Sequence, residues 1–203
     1  MAKLDLLPEH VNMPRFTINV ESVGLSPRQF FQLCRDNPDR RIELTARKEL
    51  VIMSPTNKLT SIINAEITRQ LVTWAEPDGR GYAFDSNVLF VLKNGARRSP
   101  DASWMTKPNY EAVEPDPSDY FGQGCPEFVL ELWSTSDVLK ETHAKMAEYI
   151  ACGAQLGFLV YPPKRQVWIY RPNESPERLD NPASVAGEPL LPGFKLDLTK
   201  IWR

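Results

Sequence analysis

The stretch EFVLELW, residues 127–133, constrains this chain more than any other. It is apolar at nearly every position, the pattern of a strand covered on both faces. A sheet built around it carries layers on either side, and helical patterns before and after it supply them. Glu131 breaks the run. Period-two alternation puts Val129, Glu131 and Trp133 on one face and Phe128, Leu130 and Leu132 on the other, so the carboxylate stands among apolar neighbours. A buried carboxylate must be neutralised, ion-paired or bound to a metal.

A second carboxylate is placed in the same way about thirty residues earlier, in SPDASWM at 99–105. Pro100 has no N–H to give a sheet and pushes Ser99 toward extended geometry, so it marks a strand entry or edge and leaves Asp101 near a strand end. Two carboxylates converging from adjacent strands form a hard oxygen site suited to Mg2+ or Mn2+, and the Leu132 carbonyl adds a further ligand. Such an ion acidifies a bound water and stabilises charge on a phosphate. The site then needs a cation beside the attacking water. In the helix that follows, Lys145 shares a side with Val138, Thr142 and Tyr149, from which its ammonium can point back toward the sheet. The competing reading of Lys145 is a stem on the core with its head in water. His143 lies off that side and is read as exposed.

The remaining elements follow from punctuation and periodicity. Ser26 and Pro27 open a short capped helix, and IELTARKELVIM gives two short strands around a polar turn. From Thr56 to about Glu76, Leu59, Ile62, Ile63, Ile67, Leu71 and Trp74 recur at three- and four-residue spacing, an amphipathic helix ended by the segment Pro77 to Gly81. Tyr82 to Leu92 reads as one alternating strand, residues 106–126 as a long loop containing EAVEPDPSD, LGFLVYP as a buried strand and VWIYR as an outer strand. Ser136 or Asp137 caps the helix carrying Lys145, and Gly153 closes it. The order is that of a mixed α/β domain, residues 1–203, with a core of about 41–171 and a proline-rich tail, 172–203, packed across it.

Three cysteines without CxxC spacing support neither a disulfide framework nor a thiolate zinc site. That fits a reduced, cytoplasmic setting. No apolar run approaches the roughly 20 residues of a membrane helix, and MAKLDLLPEHVNMP lacks the apolar core of a secretory signal. A net charge of -2 argues against coating nucleic acid by bulk electrostatics, so any such contact is local. The basic clusters are Arg40, Arg41, Arg47 and Lys48, then Lys93, Arg97 and Arg98. Each alone reads first as solvated surface.

PD at 100–101, E-x-x-S in ELWS and K-x-x-x-Y in KMAEY, taken in that order, resemble the Uma-two family, a branch of the PD-(D/E)XK nuclease superfamily grouped with restriction endonucleases. RIEL and VIMSP ahead of the long helix, GAQLGFLVYP after the second and the closing LPGFKLDL extend the likeness from about Ile42 to Trp202. The resemblance implies a restriction-endonuclease-like fold, a mixed central sheet flanked by helices with an N-terminal helix and hairpin extension. It implies Mg2+- or Mn2+-dependent cleavage of DNA phosphodiesters. Carried across, Asp101 and Glu131 are the metal carboxylates, Lys145 orients or activates water, and Glu43 in RIEL completes the site. Trp133 stands two places after the second carboxylate, where superfamily members commonly carry lysine, so that role moves to Lys145.

The reading from sequence is therefore a metal-dependent DNA endonuclease, with Arg97 and Arg98 on backbone phosphates and a homodimer as the means of cutting both strands. Its alternatives are a catalytically silent binder of DNA or protein and a hydrolase of smaller phosphate esters.

Overall fold

The computed structural model describes residues 15–53, 55–112, 121–134 and 137–202. Ser136 and most of EAVEPDPSD lie outside the described residues. The chain opens with β1 (Phe16–Asn19), α1 (Pro27–Asp36), β2 (Arg41–Leu44), β3 (Glu49–Met53) and the long α2 (Lys58–Asp78). Then come β4 (Gly81–Phe84), β5 (Phe90–Val91), β6 (Arg97–Arg98), β7 (Ala102–Thr106), the short α3 (Lys107–Glu111) and β8 (Gly122–Gln123). The second half holds β9 (Phe128–Leu132), α4 (Leu139–Cys152), β10 (Leu156–Tyr161), β11 (Gln166–Tyr170), β12 (Glu177–Asp180), β13 (Ser184–Ala186) and β14 (Lys195–Asp197).

The apolar run is β9, at the interior of a six-stranded sheet ordered β12-β11-β10-β9-β7-β4. It runs parallel to β10 and antiparallel to β7, which makes the sheet mixed. Both faces are covered. On one, Ile63, Ile67 and Leu71 of α2 pack with Trp104, Phe128, Leu130 and Phe158. On the other, Met146 and Tyr149 of α4 pack with Val129 and Leu159. The tail joins the α2 side: Leu191, Phe194, Leu196 and Leu198 are buried in that cluster, and Trp74 Nε1 donates to the Pro192 carbonyl at 2.9 Å. A second six-stranded sheet, β1-β3-β2-β6-β5-β8, is backed by Phe30 of α1. The chain passes from this sheet to the central one between β6 and β7, through Ser99, Pro100 and Asp101.

Local chemistry explains where the elements differ from expectation. The single strand read over Tyr82–Leu92 is two, β4 and β5, in different sheets. Asp85 accepts from Asn87 N at 2.9 Å, a side-chain turn that breaks the ladder. The expected loop at 106–126 contains α3, whose N-cap Thr106 accepts from Asn109 N, and β8. The segment Pro77 to Gly81 ends α2 as expected, with Pro77 itself inside the last turn. The helix stops at Gly79, whose φ of 67° is costly for other residues, with its N–H on the Ala75 carbonyl at 3.0 Å. Its start is set by Asn57, which accepts from Thr60 N at 2.9 Å. VWIYR is not the outer strand, because β12 pairs along it and takes the edge. Asp137 does not cap α4. Its carboxylate accepts from Ser134 N and Oγ, both at 2.9 Å, and Val138 takes the cap position without a side-chain bond.

Candidate active site

The β7–β9 register brings the two carboxylates together. Ala102 faces Leu130, so Asp101, the residue just before β7, faces the Glu131 end of β9. Asp101 N donates to the Leu130 carbonyl at 3.0 Å, and Leu132 N donates to Asp101 Oδ2 at 2.9 Å. Asp101 therefore extends the ladder one residue beyond β7, up to Pro100, by backbone and side chain together.

Lys145 reaches the same place from α4. Its Nζ lies 2.8 Å from Glu131 Oε1 and 2.8 Å from Glu43 Oε1, with only 11% of the side chain exposed. The snorkelling alternative does not hold for this lysine. Glu43 is fully engaged: Oε1 also accepts from Ser99 N at 2.9 Å, and Oε2 accepts from Arg98 NH1 at 3.1 Å. Tyr149, one helical turn on from Lys145, donates its hydroxyl to Glu131 Oε1 at 3.1 Å.

These contacts divide the two glutamates. Burial works against the Glu43 carboxylate, but Lys145, Arg98 and Arg41 outweigh it and bring its pKa down to about 2. For Glu131 burial wins. Lys145 pulls the other way, yet with Asp101 and Glu43 adding like charge the carboxyl is pushed up to about 7. Burial would lower Lys145, and the two glutamates raise it, so the ammonium stays charged. Asp101, Glu131, Leu132, Glu43 and Lys145 all line one cavity of about 330 Å³.

Residues 27–199 match the model of the Uma2 family, described as "Putative restriction endonuclease". The chain belongs to the Uma2 family. Among solved structures it is similar to one entitled "Crystal structure of a putative nuclease belonging to DUF820 from Anabaena variabilis ATCC 29413", at 18% identity and a TM-score of 0.72 over 88% of this chain and 97% of that one. The fold is thus restriction-endonuclease-like. No curated protein matches the sequence.

In this Uma2 chain the donor set fits a small divalent cation. Among the described residues no group of three or more His, Cys, Asp or Glu side chains is arranged to hold a metal ion. Of the carboxylates lining the cavity, which include Asp39, Glu43 and Asp137, the candidate donors are the adjacent pair Asp101 and Glu131. One or two carboxylates, completed by water and substrate phosphate, is the usual complement for Mg2+. Glu131 Oε2 has no hydrogen-bond partner among the described residues, its contacts being on Oε1. Asn64 Oδ1 is buried without a partner among the described residues, and Asn64 lines the same cavity, while its Nδ2 lies 3.5 Å from Asp101 Oδ1. An orphaned buried acceptor next to a carboxylate pair is what a hydrated ion or a water satisfies.

Arg97 and Arg98, expected on phosphates, are buried instead. Arg98 is held by Glu43 and, through Nε at 2.6 Å, by Glu148, while Arg97 stacks over the Phe30 ring at 5.2 Å. A short strand in the middle of a sheet needs its side chains covered, and β6 is such a strand. His143, read as exposed, is half-buried against Trp168 and bonds the Tyr170 hydroxyl through Nδ1. Trp133 packs edge-on against Tyr161, ring centroids 4.7 Å apart.

Sequence reasoning missed two residues. Arg41, grouped with surface charges, lies in the cavity with NH1 3.1 Å from Asp101 Oδ1. The signal was present, since Arg41 and Glu43 are two apart on one strand and share a face. Asn64 carried a weaker one: it follows Thr60 by four residues, a polar pair beside the apolar stripe of α2.

Proposed function

We propose that this Uma2 protein is a metal-dependent DNA endonuclease that hydrolyses phosphodiester bonds by water attack. The observation that carries the reading is the Lys145 ammonium at 2.8 Å from Glu131, inside the cavity that Asp101 also lines. Asp101 and Glu131, with the Leu132 carbonyl, are the groups to hold Mg2+ or Mn2+, which when bound supplies positive charge to the phosphate and lowers the pKa of a coordinated water. The protein's own groups do the positioning. Lys145 presents a fixed cation beside Glu131, where it orients the attacking water and offsets the charge that grows on the phosphate. Glu43, pinned by Arg98 and Ser99 N, holds that ammonium against the sheet, and the Tyr149 hydroxyl fixes the Glu131 rotamer.

Plasmid incubated with the protein in Mg2+ or Mn2+ should be nicked or linearised, should survive in EDTA, and should survive the Asp101→Ala variant. A protein that shifts DNA equally well with and without that substitution, and never cuts it, would establish a silent binder instead. Turnover of a small phosphate ester without plasmid cleavage would move the activity to that substrate class.

A further inference from the structure

Arg41 stands in the cavity without a role in the mechanism so far. Its guanidinium holds Asp101 Oδ1 through NH1 at 3.1 Å and the Ser99 carbonyl through NH2, while Nε is buried and has no partner among the described residues. About a third of the side chain is exposed, so the head is anchored at one end and open to the cavity at the other. Asp101 has one oxygen on Arg41 and the other on Leu132 N. A cation held by Asp101 through either oxygen then shares the carboxylate with a positive guanidinium, and two cations on one carboxylate repel each other. The Ser99 carbonyl offers Arg41 a second anchor that does not involve Asp101. A planar fork of five donors beside a phosphodiester site is also the side chain best matched to phosphate oxygens.

We propose that Arg41 and the divalent cation compete for Asp101, and that the guanidinium which yields the carboxylate clamps a non-bridging oxygen of the scissile phosphate. Arg41 thus makes substrate binding and metal binding dependent on each other. The inference rests on the nuclease reading for its phosphate half, whereas its competition half concerns Asp101 alone.

The test uses the full chain as wild type, Arg41→Gln and Arg41→Lys, with far-UV circular dichroism to establish that all three fold. Titration calorimetry with Mn2+ and no DNA should show Arg41→Gln binding the ion about five- to tenfold more tightly, because a cation next to its ligand has gone. Plasmid cleavage by the same variant at saturating Mn2+ should be slower by about a hundredfold, the usual loss when one transition-state donor is removed. Arg41→Lys should keep the wild-type Mn2+ affinity and recover part of the cleavage. This pairing of opposite signs is not produced by a purely structural arginine, whose loss would weaken both. Unchanged or weaker Mn2+ binding by Arg41→Gln overturns the inference, whether or not plasmid is cut. Tighter Mn2+ binding in a protein that cuts nothing would sink the nuclease reading and leave the competition for Asp101 standing.

Discussion

Replacing Lys145 with methionine keeps the length of the side chain and removes its charge, and the structure says where the damage falls. The ammonium sits 2.8 Å from one oxygen of each glutamate. Glu43 would retain Arg98 and the Ser99 N–H, so it stays compensated. Glu131 would retain only the Tyr149 hydroxyl. Burial pushes Glu131 up to about 7 even with Lys145 present. At pH 8 in EDTA the variant's Glu131 must therefore either stay charged with no cation in contact or take up a proton well above the ordinary carboxylate range, and deleting one partner of a buried pair costs about 3–5 kcal/mol. For a chain of this size each kcal/mol moves the thermal midpoint by about 2–4 °C, giving a fall of roughly 6–20 °C in a calorimetric scan. Two controls make the origin visible. Because burial raises the Glu131 carboxyl, it carries its proton at pH 5 once Lys145 is gone, so the deficit should shrink there. Adding Glu131→Gln to Lys145→Met should likewise recover most of the loss at pH 8. A single variant that melts within about 2 °C of wild type at pH 8 would refute the reasoning, since it would mean that the ammonium was in water all along.

The Glu43 pKa, held near 2 against an ordinary 4.5, implies stability present above pH 4.5 and lost as the pH falls through about 2. Wild type and Glu43→Gln should accordingly converge in thermal midpoint between pH 5 and pH 2, and a gap that widens toward acid would contradict that sign. At Gly81 a Cβ would stand 2.3 Å from the Met105 carbonyl oxygen and 2.5 Å from the Trp104 ring, so Gly81→Ala must push β4 away from β7. Urea titration should show a loss of about 1–3 kcal/mol, and an alanine variant as stable as wild type would mean that β4 and β7 are not in close contact at Gly81.

The layers and most of the candidate site were legible because they rest on patterns that the local chain dictates. The apolar run of β9 required cover on both faces, and the three- and four-residue spacing in α2 and α4 provided it. Lys145 could be placed on the sheet-facing side of α4 by counting, though counting left its head group undecided between solvent and core. What could not be counted was the second sheet. Its strands β5, β6 and β8 are two residues long, too short to show a period, and their pairing joins segments far apart in sequence. That blindness explains the errors about arginine. RR at 97–98 looks like surface charge unless one knows that Glu43, from β2, and Glu148, from α4, close over Arg98. Arg41 was misjudged for the converse reason, since its partner Asp101 lies sixty residues away on a different sheet. The split of Tyr82–Leu92 turned on one side-chain bond, from Asn87 N to Asp85, that competes with strand only when the turn is already formed.

The crossing at Ser99, Pro100 and Asp101 makes the charged cluster a rivet as well as a candidate reaction centre. Glu43 comes from one sheet, Asp101 and Glu131 from the other, and Lys145 ties Glu43 to Glu131 across the joint. A chain of this fold without hydrolytic activity would still need those charges to fasten its two halves. Activity in such a chain is therefore better diagnosed from the groups that fasten nothing, the free oxygens of Glu131 and Asn64.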